Sequence, residues 1–422
     1  MKQTFLLFFA LSFSFSLFAQ AGCTDPQANN YDSNAIENDG SCTYNNTVLI
    51  PQFRTTLDDK LEEISGMMTY NQRVFGLADS GNPTSIYEFD TITGAIIQTK
   101  KLQGTENVDW ECMTTDDDYV YVGDTGNNKH GNRKDLVIYR FPKGDLDIAG
   151  DIPYNHIKRL FYHFEDQTDF TPLSKNKTRF DCESIITLGD SIYLFTKDWQ
   201  KFITRTYSIH KSPGLHTAIL HDSLAVAGLV TDATTSGDSI VVLLGSSLFG
   251  DSFLEILYDF QGKDVFSGNK RQITVKHSAL GQPESLTLDA NFSGFIGTEA
   301  FSLGTIAKQQ AIVSYSIKEY LQFTTVPILQ LVLETPKLQL FPNPISSTGT
   351  LSFSIPKALS QRPFQLMWLN AKGQTLDSRQ MVAPKTGVFM QYKIPKTSTQ
   401  GQNYLIIQAG SDKYIGIIQV EN

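Results

Sequence analysis

The chain has 422 residues, a formal charge of −9 and 41% hydrophobic residues, too long for one small domain and ample for a packed core. Aromatic residues make up 11%, many of them Tyr and Phe, which favours strands over helices. The mild acidity, with no basic cluster or aromatic–basic interleaving, excludes a nucleic-acid binder.

Residues 1–21, "MKQTFLLFFALSFSFSLFAQA", combine a lysine, an apolar core and a small-x-small end, which reads as a secretory signal peptide. Cleavage after Ala19 or Ala21 both fit. A lipoprotein reading would place the lipid on Cys23, but Gln20 stands where such sites carry an aliphatic side chain. No later stretch has the length and apolarity of a membrane helix, so the expected location is secreted or attached to the outer-membrane surface.

Export makes the four cysteines disulfide candidates. Cys23 and Cys42 bracket a polar segment, residues 22–45, and form the expected pair. Asp25, Asp32, Asn34 and Asp39 there are oxygen donors at short spacing. A Ca²⁺ site at Asp32, Asn34 and Asp39 is one reading, although the spacing is not that of an EF-hand. A disulfide-tied loop rich in Asx turns is the favoured one.

From residue 46 to 322 a unit recurs: a Glu opening one apolar strand, a turn, and a second strand closed by an acidic residue. The starts are Glu63, Glu111, Glu183, Thr231 and Glu284, spaced 48, 72, 48 and 53 residues apart. "VDWECMTTDDDYVYVGDTGNN" (residues 108–128) shows the pattern as two strands around an acidic turn. Third strands follow as "SIYEFD", "LVIYRF", "TRTYSIH", "LEILYDF" and "AIVSYSI". Fourth strands are readable in the first four copies only. Four strands per unit at this period predict a β-propeller of five blades, a sixth degenerate blade being the alternative count and a sandwich the alternative fold. Residues 46–57 can supply the strand that the fifth copy lacks and so close the ring.

In a propeller the first strand of each blade starts on the face where the second ends. Glu63, Glu111, Glu183 and Glu284 are therefore expected around one channel mouth, with Asp79, Asp124, Asp198 and Glu299 just outside them. Such a ring could hold Ca²⁺, bind a cationic or polyhydroxylated ligand, or supply acid and base groups. The structural alternative is that these residues serve blade packing and turns. Cys112 and Cys182, on the inner strands of adjacent blades, either bond to each other or remain a buried free pair.

"DWECMTTDDDYVYVGDTGNN…RKDLVIYRF" and "FDCESIITLGDSIYLFTKDW" resemble a group of secreted bacterial propellers related to phytase-like and esterase-like proteins. That resemblance implies an extracellular propeller, and for some members calcium-dependent hydrolysis of phosphate esters. Such chemistry needs Lys and Arg beside the carboxylates, and Lys197, Arg133 and Lys134 lie near suitable loops. The segment "GCTDPQANNYDSNAIENDGSCTY" resembles a cysteine-bracketed motif of exported Bacteroidetes proteins. No Ser-His-Asp order or histidine metal cluster emerges, so a ligand-binding or adhesive module is the first functional reading and a hydrolase the alternative.

A linker, residues 323–336, leads to residues 337–422, whose alternating runs broken by Gly, Pro and Asn turns predict an antiparallel β-sandwich. This tail resembles the C-terminal sorting domain of the type IX secretion system through Pro342, Asn343, Pro344, Gly373, Gly401 and Tyr404. The resemblance implies that machinery as a partner, passage across the outer membrane and removal of the tail.

Overall fold

The computed structural model describes residues 20–35, 37–247, 250–276, 281–303, 305–321, 336–370, 375–385, 389–395, 398, 400–409 and 412–421. Nearly all of the expected signal peptide, nearly all of the linker 323–336 and Gly373 lie outside the described residues. Among the described residues no helix is long and apolar enough to cross a membrane.

The protein is all-β, and its first part is a five-bladed propeller. The first blade is Ile64–Tyr70, Arg73–Ala78, Ser85–Phe89 and Ile96–Lys101. The second is Trp110–Thr115, Tyr119–Asp124, Val137–Pro142 and Lys158–Phe164. The third is Cys182–Leu188, Ser191–Thr196, Thr204–His210 and Gly214–Leu224. The fourth is Gly228–Ser236, Ile240–Ser247, Ser252–Tyr258 and Asn269–Val275. The fifth is Gln282–Leu286, Ser293–Glu299, Ala311–Ser316 and, from the start of the chain, Gln52–Thr56. That last strand runs antiparallel to Ala311–Ser316, with Thr55 opposite Ile312, and so closes the ring as the missing outer strand required.

The inner strands neighbour one another around the ring, and each gap between blades holds its own apolar core. Period-2 alternation is the cause, since successive side chains of one strand serve the two flanking blades. Val120 and Val122 pack toward the first blade with Phe75 and Ile86, whereas Tyr121 packs toward the third with Ile185 and Leu194. The same division continues through Tyr193 and Val241, then Val242 and Val313, and closes with Ile312 against Val74. One join exceeds the blade plan. The outer strands Lys158–Phe164 and Gly214–Leu224 pair in parallel, fusing the second and third blades edge to edge.

The N-terminal segment is docked rather than free. Cys23 and Cys42 are disulfide-bonded. Asn38 Nδ2 donates to Asp259 Oδ2 at 3.0 Å, and Tyr44 shares a 2.9 Å hydroxyl contact with Tyr258 in the fourth blade. Asp32 Oδ1 accepts from Asn34 N at 2.9 Å and Asp39 Oδ1 from Ser41 N at 2.9 Å, so each caps its own Asx turn. That is the turn chemistry expected of this loop.

Residues 340–421 form two packed sheets, one of Leu340–Phe341, Thr350–Ser354 and Phe389–Lys393, the other led by Pro363–Leu369, Gly401–Ala409 and Asp412–Glu421. Phe353, Trp368, Tyr392 and Leu405 share the core between them. Asn343 has a clear structural role. Its Nδ2 donates to Ile417 O and its Oδ1 accepts from Gln419 N, each at 2.8 Å, so it completes the edge of the last strand between its two prolines. Gly401 lies at φ +100°, in the region that favours glycine, and Tyr404 is buried.

Candidate ligand-binding site at the channel mouth

The site begins with a defect that every blade repeats. Each inner strand carries one extra residue against its neighbour, a β-bulge, and the unpaired residue is Ser65, Glu111, Glu183, Thr231 and Glu284 in turn. Bulges bend a strand and re-aim a side chain. This corrects the first repeat: Ser65, not Glu63, is the counterpart of Glu111. Glu63 stands two residues earlier, level with Asp109 and Asp181. The ladder shows the equivalence, because Asp79, Thr125 and Lys197 donate their N–H groups to the carbonyls of Glu63, Asp109 and Asp181 at 3.0, 3.1 and 2.8 Å.

The second strands sort the outer acids by the same logic. Asp79, Thr125, Lys197 and Glu299 occupy one register position, one residue beyond Ala78, Asp124, Thr196 and Thr298. Asp124 is one residue early and Asp198 one late, and a one-residue offset turns a side chain to the opposite side. Asp124 is accordingly buried away from the channel, accepting from Asp109 N at 3.0 Å and Val108 N at 3.2 Å, with Arg133 Nη1 at 2.9 Å. Burial raises its carboxyl despite Arg133. Asp198 holds its own turn through Gln200 N and Lys201 N, both at 2.9 Å, and pairs with Arg205 at 3.3 Å. These two expected members therefore leave the ring.

The remaining acids converge. Glu111, 6% exposed, is pushed well above its ordinary range, first by burial and then by Glu183, Asp79, Asp109 and Asp181. Glu183 is raised by burial against the pull of Lys197, and Glu284 likewise. Asp109 is pushed up to about 7 by burial, then by Asp79 and Asp181. Glu299 goes to about 9 through burial, then Glu284 and Asp79. Asp79 is raised by burial, with Glu63 adding to it. Glu63 itself is exposed at the rim and accepts from Asn82 Nδ2 at 2.8 Å. Like charges gathered in a low dielectric cannot all ionise without compensation.

Lys197 supplies part of that compensation from a position where the sequence pattern suggested an acid. Its Nζ lies 3.1 Å from Glu183 Oε2. Burial opposes its charge, yet Glu183, Glu284, Asp181 and Glu111 keep it protonated. Glu183 Oε1 is buried with no N–H or O–H donor on it, while the Asp181 carboxyl stands beside the side chain and raises it, and no hydrogen bond reaches the Glu111 carboxylate among the described residues. One ligand-bearing oxygen each of Asp79, Asp109 and Glu111 lie within 4.8 Å of one another. Gly126 crosses directly over this point, where an added Cβ would stand 2.4 Å from Asp109 Oδ2 and 2.5 Å from Glu111 Oε1. A small cavity among the inner strands of the first, second, fourth and fifth blades is lined by Met67, Met113, Thr235 and Thr287.

Sequence reasoning missed Asp109 and Asp181, and a signal for them was present. Both stand two residues before a bulge glutamate, in "DWE" and "DCE". The Asn of "DTGNN" is a stitch: Asn127 N donates to Asp181 Oδ1 at 2.6 Å and Asn127 Nδ2 to Phe180 O at 3.1 Å, joining the second blade to the third. Cys112 and Cys182 are free, buried thiols in the core between those blades. Cys112 Sγ faces Thr125 Oγ1 and Cys182 Sγ donates to Ser184 O, each at 3.6 Å. Of the two expectations for this pair, the unbonded one describes the structure.

No protein family and no curated protein matches the chain. Solved structures similar to it include a GH32 β-fructofuranosidase of Bombyx mori, BmSUC1, at 10% identity and TM-score 0.35, with 88% of each chain covered. Another is the β-propeller domain of Cps50 (Swd1) from Myceliophteria thermophila, at 8% identity and TM-score 0.28, covering 60% of this chain and 82% of that one. The propeller assignment rests on the blade pairing described above.

Proposed function

We propose that the chain is an exported ligand-binding module, delivered to the cell surface or medium by the type IX secretion machinery, that captures a positively charged ligand at its acidic channel mouth. The observation that carries this reading is the gathering of Asp79, Asp109, Glu111, Glu183, Glu284 and Glu299 at one end of the ring, where Lys197 and Arg133 are the cations that reach them and the acidic side chains outnumber them. Low-dielectric walls focus such a field outward and raise the local concentration of opposite charge. Export is supported by the leader-like residues 1–21, the Cys23–Cys42 bond and the Pro-Asn-Pro opening of the tail. In this reading residues 337–422 are the sorting domain.

A phosphate-ester hydrolase is less well supported, because two of the three cations that would grip a phosphate are already engaged by the protein's own acids. Lys197 is held by Glu183, and Arg133 by Asp124, Asp135 and the Gly126 carbonyl.

Surface display and amine binding test the proposal together. Cells making the full chain should retain amine-coated beads, with retention falling as salt rises. Cells making the Asp79→Asn/Glu299→Gln chain should display the protein but lose at least about tenfold in retention. A chain ending at residue 336 should stay in the periplasm. Full retention by the double variant refutes the binding face, and display of the truncated chain refutes the sorting role.

A further inference from the structure

The segment that closes the ring is short and lies on sheet edges. Val48–Leu49 adds to the outer edge of the fourth blade, where Thr47 O accepts from Thr274 N at 2.9 Å and Leu49 O from Lys276 N at 3.0 Å. Gln52–Thr56 then adds to the fifth. Edge pairings of this length open readily unless something holds their ends. The Cys23–Cys42 motif stands immediately upstream, and its bond builds a plug. Asp25 and Tyr44 each follow one of the bonded cysteines by two residues, and the bond brings them together. Asp25 Oδ2 takes the Tyr44 hydroxyl at 2.9 Å and, beside it, the Tyr258 hydroxyl of the fourth blade. The Asp25 residue is 4% exposed.

Tyr44 also covers Arg271, on the outer strand of the fourth blade. The guanidinium carbon lies 4.9 Å from the Tyr44 ring centre and 5.0 Å from that of Tyr320, just past the last strand of the fifth blade. Arg271 Nη1 donates to Tyr320 O at 3.0 Å and to Gln27 Oε1, while Gln27 Nε2 donates to Glu319 O at 2.8 Å. The motif thus grips the fourth blade and the end of the fifth at one point, next to the start of the closing segment. Without the bond, chain entropy opposes the meeting of Asp25 with Tyr44 across a sequence separation of 19. A buried carboxylate that loses its donors is costly, so the plug depends on the bond.

We propose that the Cys23–Cys42 motif is a redox-operated clasp on the propeller. Reduced, it lets the closing segment leave the fourth and fifth blades; oxidised, it locks that segment in place. Closing it takes two thiols and the disulfide of a thiol–disulfide exchange protein. One cysteine, as thiolate, displaces a sulfur of that donor; the other then displaces the donor itself, which leaves as a dithiol with both electrons and both protons. Cys23 and Cys42 are buried once the plug is seated, so exchange precedes seating. The clasp is independent of what the mouth binds. Its biological meaning rests on the export reading, because a reducing cell interior keeps the thiols apart.

The test follows hydrogen exchange of the purified full chain, oxidised and reduced, so its result does not depend on how the chain leaves the cell. Cys112 and Cys182 are already free thiols, which leaves the reductant one bond to act on. Reduction is complete when four thiols titrate in denaturant. It should speed exchange at least about tenfold at residues 47–56 and at Thr274 and Lys276, and leave Trp110–Thr115 in the second blade unchanged. Tyr258→Phe, which keeps the ring and removes the hydroxyl that Asp25 accepts, should lose most of the protection that oxidation gives. Exchange that reduction leaves unaltered, or raises evenly in all blades, overturns the proposal. So does a full reductant effect in Tyr258→Phe, which would assign the bond a role in the unfolded chain alone. The wild-type comparison decides the matter even if that variant does not fold.

Discussion

Glu255 stands in the third strand of the fourth blade, buried, with Gln272 Nε2 donating to its Oε2 at 3.1 Å. Burial pushes its carboxyl up to about 7, against Gln272, which lowers it. The folded protein therefore holds this proton more tightly than the unfolded chain, whose ordinary value is 4.5. Stability from this group is complete below that value and is lost as pH rises from about 4.5 to about 7. Replacing it by Gln removes the titrating group. The Glu255→Gln variant should gain on the wild type as pH rises through that window, by on the order of 2–3 kcal/mol, when both are unfolded in urea at a series of pH values. Parallel pH curves would contradict the assignment. Residue types were readable from the chain; the direction a side chain takes was less so. Asp124 and Asp198 look like ring members because each closes a second strand. The one-residue offsets that turn them inward or into a turn are visible only once the register is known.

At the scale of the strand and its neighbour, hairpins were legible and the joins between them were not. Acidic and Gly-containing turns between alternating runs identify the first two strands of each blade directly. The bulge at Ser65, Glu111, Glu183, Thr231 and Glu284 leaves no mark in composition, because it exists only as a mismatch between two strands. The parallel seam between Lys158–Phe164 and Gly214–Leu224 joins segments about 50 residues apart and has no local signature. The asparagine stitches are also long-range. Asn107 Oδ1 accepts from Trp110 N at 3.0 Å while its Nδ2 donates to Asp79 O at 2.9 Å, joining the second blade to the first as Asn127 joins it to the third. Asn127→Ala should therefore cost about 2 kcal/mol and lower the urea midpoint without changing the slope. A loss under about 0.5 kcal/mol, the range of an ordinary surface change, would show that Asn127 is not a stitch.

For the whole molecule, the count of strands revealed more than any motif. Five copies with only four outer strands implied that the ring borrows one, and Gln52–Thr56 fills the place. Without residues 46–57 the fifth blade loses its outer strand, the fourth loses the parallel partner Val48–Leu49, and Leu57 leaves the core between the fifth and first blades. Deleting that segment should abolish the single cooperative thermal transition of the propeller, followed by calorimetry. A truncated chain that melts in one transition at the wild-type midpoint would refute closure by this strand.

The same pairing has a kinetic meaning. Thr55 meets Ile312 across the whole length of the propeller, so its decisive contact is among the most non-local that the chain can make. Contacts of that kind come late and slow the fold, because loop-closure entropy must be overcome before they contribute. A chain moving through a membrane from its first residue would have its opening strand across early but no partner for it until residue 316 had followed. During that interval the four earlier blades would lie as an unsealed arc with an unpaired edge. The ring could then close only on the far side, once the fifth blade had arrived.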